Sequence, residues 1–102
     1  MNDYIVELRP AAARQLAAIE ARIAEEATDP IARRYVAAVL ETCFALDVFP
    51  DRGTPRDDIK PGLRTLVFKR NVLIAYAVEA DRVAVLGIGW RDQDIARLIK
   101  DV

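Results

Sequence analysis

Three short β-rich runs in the second half of the chain constrain the fold more than any other feature. They span residues 63–68, 72–78 and 83–88, and only three and four residues separate them. Connections that short make neighbouring strands pair antiparallel. The middle run is almost wholly apolar, so we expect it at the centre of a sheet that is covered on both faces.

The first half of the chain predicts one strand followed by two helices. Residues 4–8 form a short β-rich run, and Pro10 suits the first position of a helix because its missing N–H would have no partner there. A second helix is predicted to begin with Asp29 as N-cap and Pro30 in the first helical position, and to end near residues 49–50. The connection of about three residues makes the two helices a helical hairpin.

Each predicted helix carries an apolar stripe at helical spacing, which indicates the face that packs on the sheet. In the first helix, over residues 11–26, the stripe consists of Ala12, Leu16, Ile19 and Ile23. In the second helix it consists of Ala32, Val36, Val39, Cys43 and Leu46.

The remaining segments complete the predicted fold. Residues 50–62 contain repeated proline and glycine and predict a loop of about a dozen residues. The tail, residues 91–100, predicts a short helix with Asp92 as its cap. The predicted order is therefore βααβββα, an α+β fold in which the helical hairpin packs on a small, curled, mostly antiparallel sheet. Residues 1–102 are expected to form a single domain.

The composition excludes several kinds of site. The chain has no histidine and one cysteine, Cys43, which excludes an internal disulfide and a zinc site of the usual kind. The net charge of −1 gives no overall basic field, so no direct nucleic-acid binding is expected, although residues 59–78 hold four basic residues and no acidic one. Nothing resembles a leader or a membrane span. We therefore expect a cytoplasmic protein with no membrane partner, metal or cofactor.

Five segments, in order along the chain, resemble one known family. Residues 4–12, YIVELRPAA, resemble its opening strand and "(S/R)PxA" helix entry. Residues 46–56, LDVFPDRGTPR, resemble "L..fP..G.pr", and residues 57–64, DDIKPGLR, resemble "DDI.PGlR". Residues 70–78, RNVLIAYAV, resemble "r.yvIfY.v", and residues 83–91, VAVLGIGWR, resemble "v.IlrvlH.R". The chain thus resembles the ParE branch of the RelE/ParE superfamily over nearly its whole length.

This resemblance implies the toxin half of a type II toxin–antitoxin system, which stabilises plasmids by addiction. A cognate antitoxin would hold the toxin inactive in a hetero-oligomer. ParE-like members poison DNA gyrase, whereas RelE-like members cut messenger RNA in the ribosome. Because the two branches share a fold, the function has to be argued from the site. The resemblance also implies that the first strand joins the three-stranded meander at one side.

The residues favour inhibition of growth by binding over catalysis. On the pattern of RelE-like nucleases, Arg64 and Arg91 are present, but the arginine of the middle strand falls near Leu73 and the C-terminal aromatic or histidine falls near Arg97. Arginine stabilises anions but is a poor proton shuttle. The chain is therefore expected not to be an enzyme. The alternatives are a metal-independent, ribosome-dependent mRNA endonuclease and a degenerate interaction module without toxicity.

Two sets of candidate site residues follow. The candidates for binding the cellular target are Arg56, Arg64, Arg70, Trp90 and Arg91. The candidates for binding the antitoxin, taken from the wide apolar faces of the two helices, are Ala13, Ala17, Val36 and Leu40. Structural alternatives stay open for the first set. The arginines can be solvated or ion-paired charges at strand ends, and the tryptophan can be a residue of the core or its rim. In ParE-like sequences a histidine or a polar residue often stands at the position of Trp90.

Overall fold

A five-stranded mixed sheet forms the centre of the computed structural model, which describes residues 4–100. The strands are β1 (Ile5–Leu8), β2 (Thr54–Pro55), β3 (Leu63–Phe68), β4 (Val72–Val78) and β5 (Arg82–Trp90). Their order is β1-β5-β4-β3-β2, with β1 parallel to β5 and the other pairs antiparallel. The α+β class, the meander, the central place of β4 and the position of β1 at one side are confirmed.

In the described part of the chain, three helices accompany the sheet, and two short 3-10 turns follow the second of them. The helices are α1 (Pro10–Glu26), α2 (Asp29–Phe44) and α3 (Ile95–Leu98), and the turns span Ala45–Asp47 and Pro50–Arg52. α1 and α2 pack against each other as the predicted hairpin. Within residues 4–100, no helix has the length and apolar character that crossing a membrane requires.

Several predicted boundaries were wrong, and local hydrogen bonds explain them. The hydroxyl of Thr28, rather than the carboxylate of Asp29, caps α2 by accepting a hydrogen bond from the Ile31 amide at 3.3 Å. α2 ends at Phe44, because the chain then tightens into the first 3-10 turn. The supposed loop over residues 50–62 contains the second 3-10 turn and the two-residue strand β2, which pairs with β3.

The sheet buries apolar side chains on both faces. α1 and α2 cover one face, where the core contains Val72, Ile74, Tyr76, Val83, Val85 and Ile88 together with Leu16, Ile19, Val39 and Cys43. The opposite face carries Leu63, Leu73, Ala75, Ala77, Ala84 and Leu86, which pack with Leu98 and Ile99 of the C-terminal segment. In the predicted helical stripes, Ile23 and Val36 are only half-buried, and the other members are buried.

α3 lies close to the sheet because β5 carries two glycines there. A Cβ at Gly87 would lie 3.0 Å from Cγ of Leu98, and a Cβ at Gly89 would lie 2.8 Å from Cδ1 of the same leucine. α3 is shorter than the predicted tail helix. It begins after Asp94, whose carboxylate accepts a hydrogen bond from the Ala96 amide at 3.0 Å, so the predicted cap, Asp92, lies outside the helix.

Two glutamine side chains complete the edge of β5 beyond the end of β1. The N–H of Ile88 donates to Oε1 of Gln15 at 2.9 Å, and the N–H of Trp90 donates to Oε1 of Gln93 at 2.6 Å. Nε2 of Gln15 also donates to the carbonyl oxygen of Leu98 at 2.8 Å. These side chains satisfy N–H groups of β5 that a neighbouring strand would otherwise satisfy, and Gln15 also joins α1 to β5 and to the end of α3.

Candidate functional site

An open cleft, here called the Trp90 cleft, lies beside the turn that joins β3 to β4. It measures about 560 Å³ and is lined by Arg22, Glu26, Arg70, Asn71, Trp90, Arg91 and Asp92. The fold therefore brings together three of the five residues that the sequence suggested for target binding, namely Arg70, Trp90 and Arg91.

Trp90 forms both the rim of the core and a wall of the cleft. Its side chain is half-buried and packs against the core on the helix side of the sheet. The guanidinium carbon of Arg22 lies 5.9 Å from the ring centroid, within the range of a cation–π contact. Nε of Arg22 also lies 3.2 Å from Oε2 of Glu26, one turn further along α1. The helix thus holds the tryptophan ring in place from one side.

The turn between β3 and β4 holds Arg70 in a strained backbone conformation. Lys69 has φ 47° and Arg70 has φ 68°, and the Asn71 N–H donates to the carbonyl oxygen of Phe68 at 3.0 Å. Two consecutive left-handed residues are typical of a type I′ turn, where glycine is preferred because it has no Cβ and asparagine because its short polar side chain tolerates this region. Here two long cationic side chains occupy those positions.

Arg91 reaches the same cleft from the end of β5. Its backbone N–H donates to the carbonyl oxygen of Asn71 at 2.8 Å, which ties it to the turn that carries Arg70. From Tyr4 to Lys100, no carboxylate forms an ion pair with Arg70 or with Arg91. Both side chains are on exposed residues, so their guanidinium groups are available to a ligand.

A second cleft adjoins the first one along α1. It measures about 600 Å³ and is lined by Gln15, Ala18, Ile19, Arg22, Ile88, Trp90, Gln93, Asp94, Arg97 and Leu98. Arg22 and Trp90 line both clefts, which therefore meet at these two side chains. The lining of the second cleft is mixed: five of its ten residues are apolar, and Arg22, Asp94 and Arg97 are charged.

The other two target-binding candidates lie away from the Trp90 cleft. Nη1 of Arg64 donates to the carbonyl oxygens of Asp51 at 2.9 Å and of Gly53 at 2.8 Å, so this side chain holds the loop after α2. Arg56 makes a two-point contact with Asp58, in which both N–O distances are 3.1 Å. The hydrogen bond from Arg56 lowers the pKa of the Asp58 carboxyl below its usual value.

The antitoxin-binding candidates occupy accessible positions on the hairpin. Ala13 and Ala17 are exposed on α1, and Val36 and Leu40 are half-buried on α2, where they contact the core. Beyond them lies an apolar corner, formed by Phe44, Val48 and Phe49, which are 51%, 52% and 67% exposed. Phe44 stands one helical turn after Leu40, so the apolar surface of α2 continues into this corner.

The chemistry of the described residues suits binding. Between residues 4 and 100 there is no cluster of histidine, cysteine, aspartate and glutamate that could hold a metal ion. Cys43 is fully buried, and burial raises the pKa of its thiol to about 12, which keeps it protonated and unreactive. The Trp90 cleft offers guanidinium groups, which stabilise anions but exchange protons poorly.

Arg22, which lines both clefts, was not predicted from the sequence as a site residue. A signal for it was present, because Gln15, Ile19, Arg22 and Glu26 recur at helical spacing and mark a second stripe beside the core stripe of α1. The local sequence does not show which part of the fold this stripe packs against. The same holds for Gln93, whose contact with β5 depends on where the tail folds.

Comparison with solved structures finds the same fold in another protein. A structure titled "Chromosomal ParDE TA system from P. aeruginosa" is similar, with a TM-score of 0.75 and 23% sequence identity over 85% of this chain and 95% of that one. A family model described as "ParE toxin of type II toxin-antitoxin system, parDE" matches residues 6–95. The chain therefore belongs to the ParE toxin family, as its sequence motifs predicted. Comparison with curated proteins gives no significant match.

Proposed function

We propose that this ParE-family chain inhibits bacterial growth by binding a cellular protein and that a cognate antitoxin neutralises it. DNA gyrase is the target that membership of the family suggests. The proposed setting is the cytoplasm, where the chain would form a hetero-oligomer with its antitoxin and contribute to plasmid stabilisation. In this proposal the chain binds its target without catalysing a reaction.

One observation carries the proposal: two exposed arginines, Arg70 and Arg91, lie together in the cleft that Trp90 lines. Arg70 and Arg91 have no carboxylate partner within residues 4–100, whereas Arg64 is bonded inward to the loop after α2. Aromatic and arginine side chains are the residues that most often anchor protein interfaces. Proton transfer, which a nuclease needs, is poorly served by guanidinium groups.

The antitoxin is proposed to cover the apolar surface of the helical hairpin. Ala13 and Ala17 on α1 are exposed, and on α2 the half-buried Val36 and Leu40 are followed by the exposed Phe44. A disordered antitoxin segment could order on such a surface as an amphipathic helix, placing its apolar face on these side chains. The apolar corner at Phe49 would then lie at the end of its path.

The first test is controlled expression in a bacterium, with growth, the DNA-damage response and transcript integrity measured together. Growth arrest with a DNA-damage response and intact transcripts supports the proposed function. Arrest with cleaved transcripts would instead assign the ribosome-dependent nuclease activity. Absence of arrest from a folded, soluble chain would indicate an interaction module without toxicity.

The second test addresses the target directly with purified protein. DNA supercoiling by gyrase is measured with increasing amounts of this chain, and the double variant R70G/R91Q is compared with R52Q. Arg52 is exposed and lies in the 3-10 turn away from the Trp90 cleft, so R52Q controls for the loss of a positive charge. We expect that R52Q still inhibits gyrase and that R70G/R91Q does not. Equal inhibition by all three proteins would rule out the cleft as the contact.

The antitoxin surface is tested by searching for variants that escape neutralisation. A17E and F44D place a charge on exposed positions of the hairpin without filling the core. Cells that express either variant are expected to stop growing even when the cognate antitoxin is co-expressed, whereas cells with the unchanged chain recover. Full recovery with both variants would show that the antitoxin binds another surface.

A further inference from the structure

We propose that the Trp90 cleft binds an acidic segment of a partner protein, with carboxylates held by Arg70 and Arg91 and an apolar side chain lying against the Trp90 ring. This inference deepens the proposed function by naming the chemistry of the partner. It depends on the proposed function for one point, namely that the partner is a protein.

The strained turn is the first observation that supports the inference. Lys69 and Arg70 both have left-handed φ values, 47° and 68°, at positions where asparagine and glycine fit without strain. Strained backbone conformations of this kind are concentrated at functional sites. The strain at position 70 has a visible consequence, because it places a guanidinium group on the wall of the cleft.

The second observation is the state of the cations around the ring. Arg22 is already engaged by Glu26 and by the face of Trp90, so it supports the ring. Arg70 and Arg91 line the same cleft, from the turn and from the end of β5, and no side chain between residues 4 and 100 forms an ion pair with them. A carboxylate is the natural ligand for such a guanidinium, because it accepts two parallel hydrogen bonds.

The distribution of charge favours a protein over a nucleic acid. Three arginines share the Trp90 cleft with the carboxylates of Glu26 and Asp92, and Asp94 lines the adjoining cleft. A phosphate backbone needs a continuous positive stripe, which these carboxylates interrupt, and the whole chain has a net charge of −1. A peptide with separated carboxylates can match the two free arginines and avoid the acidic side chains. Ala18, Ile19, Ile88 and Leu98 in the adjoining cleft offer apolar contacts to the apolar residues of such a peptide.

The chain contains one tryptophan, so the fluorescence of Trp90 reports directly on this cleft. The probe is a short, end-blocked peptide of alternating glutamate and leucine, titrated into the purified full chain. The control probe has glutamine in place of every glutamate. A saturable change in tryptophan emission is expected with the glutamate peptide only, and rising salt should weaken it because the contacts are exposed.

The variants separate a binding role from a structural one. R70G removes the guanidinium and relieves the left-handed strain, so the melting temperature is expected to stay equal or rise while the dissociation constant rises about tenfold or more. R91Q is expected to weaken binding similarly, because it removes the other free cation. R52Q is expected to bind as the unchanged chain does.

Three outcomes would overturn the inference. The first is that the glutamate peptide gives no saturable signal, the second is that the glutamine peptide binds equally well, and the third is that R70G and R91Q both bind the glutamate peptide as tightly as the unchanged chain does. Tighter binding of a single-stranded oligonucleotide at the same salt concentration would assign the cleft to nucleic acid. The peptide titration is independent of growth arrest, so a chain that binds the peptide but does not stop growth would disprove the proposed function and leave this inference intact.

Discussion

The hydroxyl of Tyr76 donates a hydrogen bond to the carbonyl oxygen of Pro50 at 2.7 Å, across 26 positions of sequence. The same hydroxyl accepts a hydrogen bond from the Gly53 N–H at 2.9 Å, and the tyrosine is fully buried beneath the loop. Arg64 binds two carbonyl oxygens of the same loop. A central strand and its neighbour thus fix the loop that begins with the exposed Phe49.

Replacing Tyr76 by phenylalanine is expected to lower the free energy of unfolding by about 1–3 kcal/mol, because two buried backbone groups lose their partner. Y35F is the matched control. The Tyr35 hydroxyl is buried and has no hydrogen-bond partner within residues 4–100, so its removal should be neutral or slightly stabilising. Urea unfolding of both variants gives the comparison, and equal losses in the two would contradict the assigned role of the Tyr76 hydroxyl.

Gly53 is expected to tolerate no side chain while Tyr76 is present. A Cβ there would lie 2.5 Å from Oη of Tyr76 and 2.8 Å from the carbonyl oxygen of Thr65, although the backbone φ of −78° itself suits any residue. G53A should therefore destabilise the fold by about 1–3 kcal/mol through overpacking. The cost should be smaller in a Y76F background, because one of the two clashing atoms is then gone. Strict additivity in this double-mutant cycle would show that the two positions do not interact.

Arg64 is expected to affect stability before it affects binding. One nitrogen, Nη1, donates to two carbonyl oxygens, and it stands at the end of a rigid planar group that is longer than the lysine side chain, so a lysine ammonium would not be held at the same point. R64K should thus lower the melting temperature, whereas R91Q, whose side chain has no such contact, should leave it unchanged. Differential scanning fluorimetry of the two variants decides the question. An unchanged melting temperature for R64K would return this residue to the list of candidate contacts with the target.

Gln15 is expected to be needed to join α1, β5 and α3. In Q15A the Ile88 N–H and the Leu98 carbonyl oxygen both lose their partner, which should cost about 1–3 kcal/mol. Q15E keeps the acceptor for Ile88 but loses the donor to Leu98, so its loss should fall between those of Q15A and the unchanged chain. Hydrogen exchange of the Ile88 amide gives a local readout, and continued protection in Q15A would argue against the contact.

Alkaline conditions are expected to weaken the fold through Cys43. Burial raises the pKa of its thiol from 9.0 to about 12, so the folded state disfavours the thiolate. The resulting stability is fully present below about pH 9 and is lost as the pH rises towards about 12. By about pH 10 the loss should reach on the order of 1 kcal/mol. C43A should show a flatter profile in urea unfolding over this range. An equally steep loss in C43A would assign the effect to other groups, of which Tyr76, with its pKa raised by burial from 10.0, is the nearest candidate.

The order of the main elements could be predicted from the sequence because it depends on local patterns. The apolar run of β4 and the short connections on either side of it required a central antiparallel strand, and β4 lies there. The stripe of α1 and the position of Pro10 defined its buried face and its start. The five motifs identified the family, since each of them is a short continuous stretch of the chain.

Only the tertiary structure decided which side chains act together. Arg64 and Arg91 looked equivalent as charges near strand ends, yet Arg64 turns inward to carbonyl oxygens, whereas Arg91 joins Arg70 and Trp90 at a cleft. The physical reason is that every residue carries a carbonyl oxygen, so no sequence pattern marks the one that a distant guanidinium will bind. Helical and strand periodicity determine the face on which a residue lies, but packing between elements that are far apart in sequence determines what that face meets.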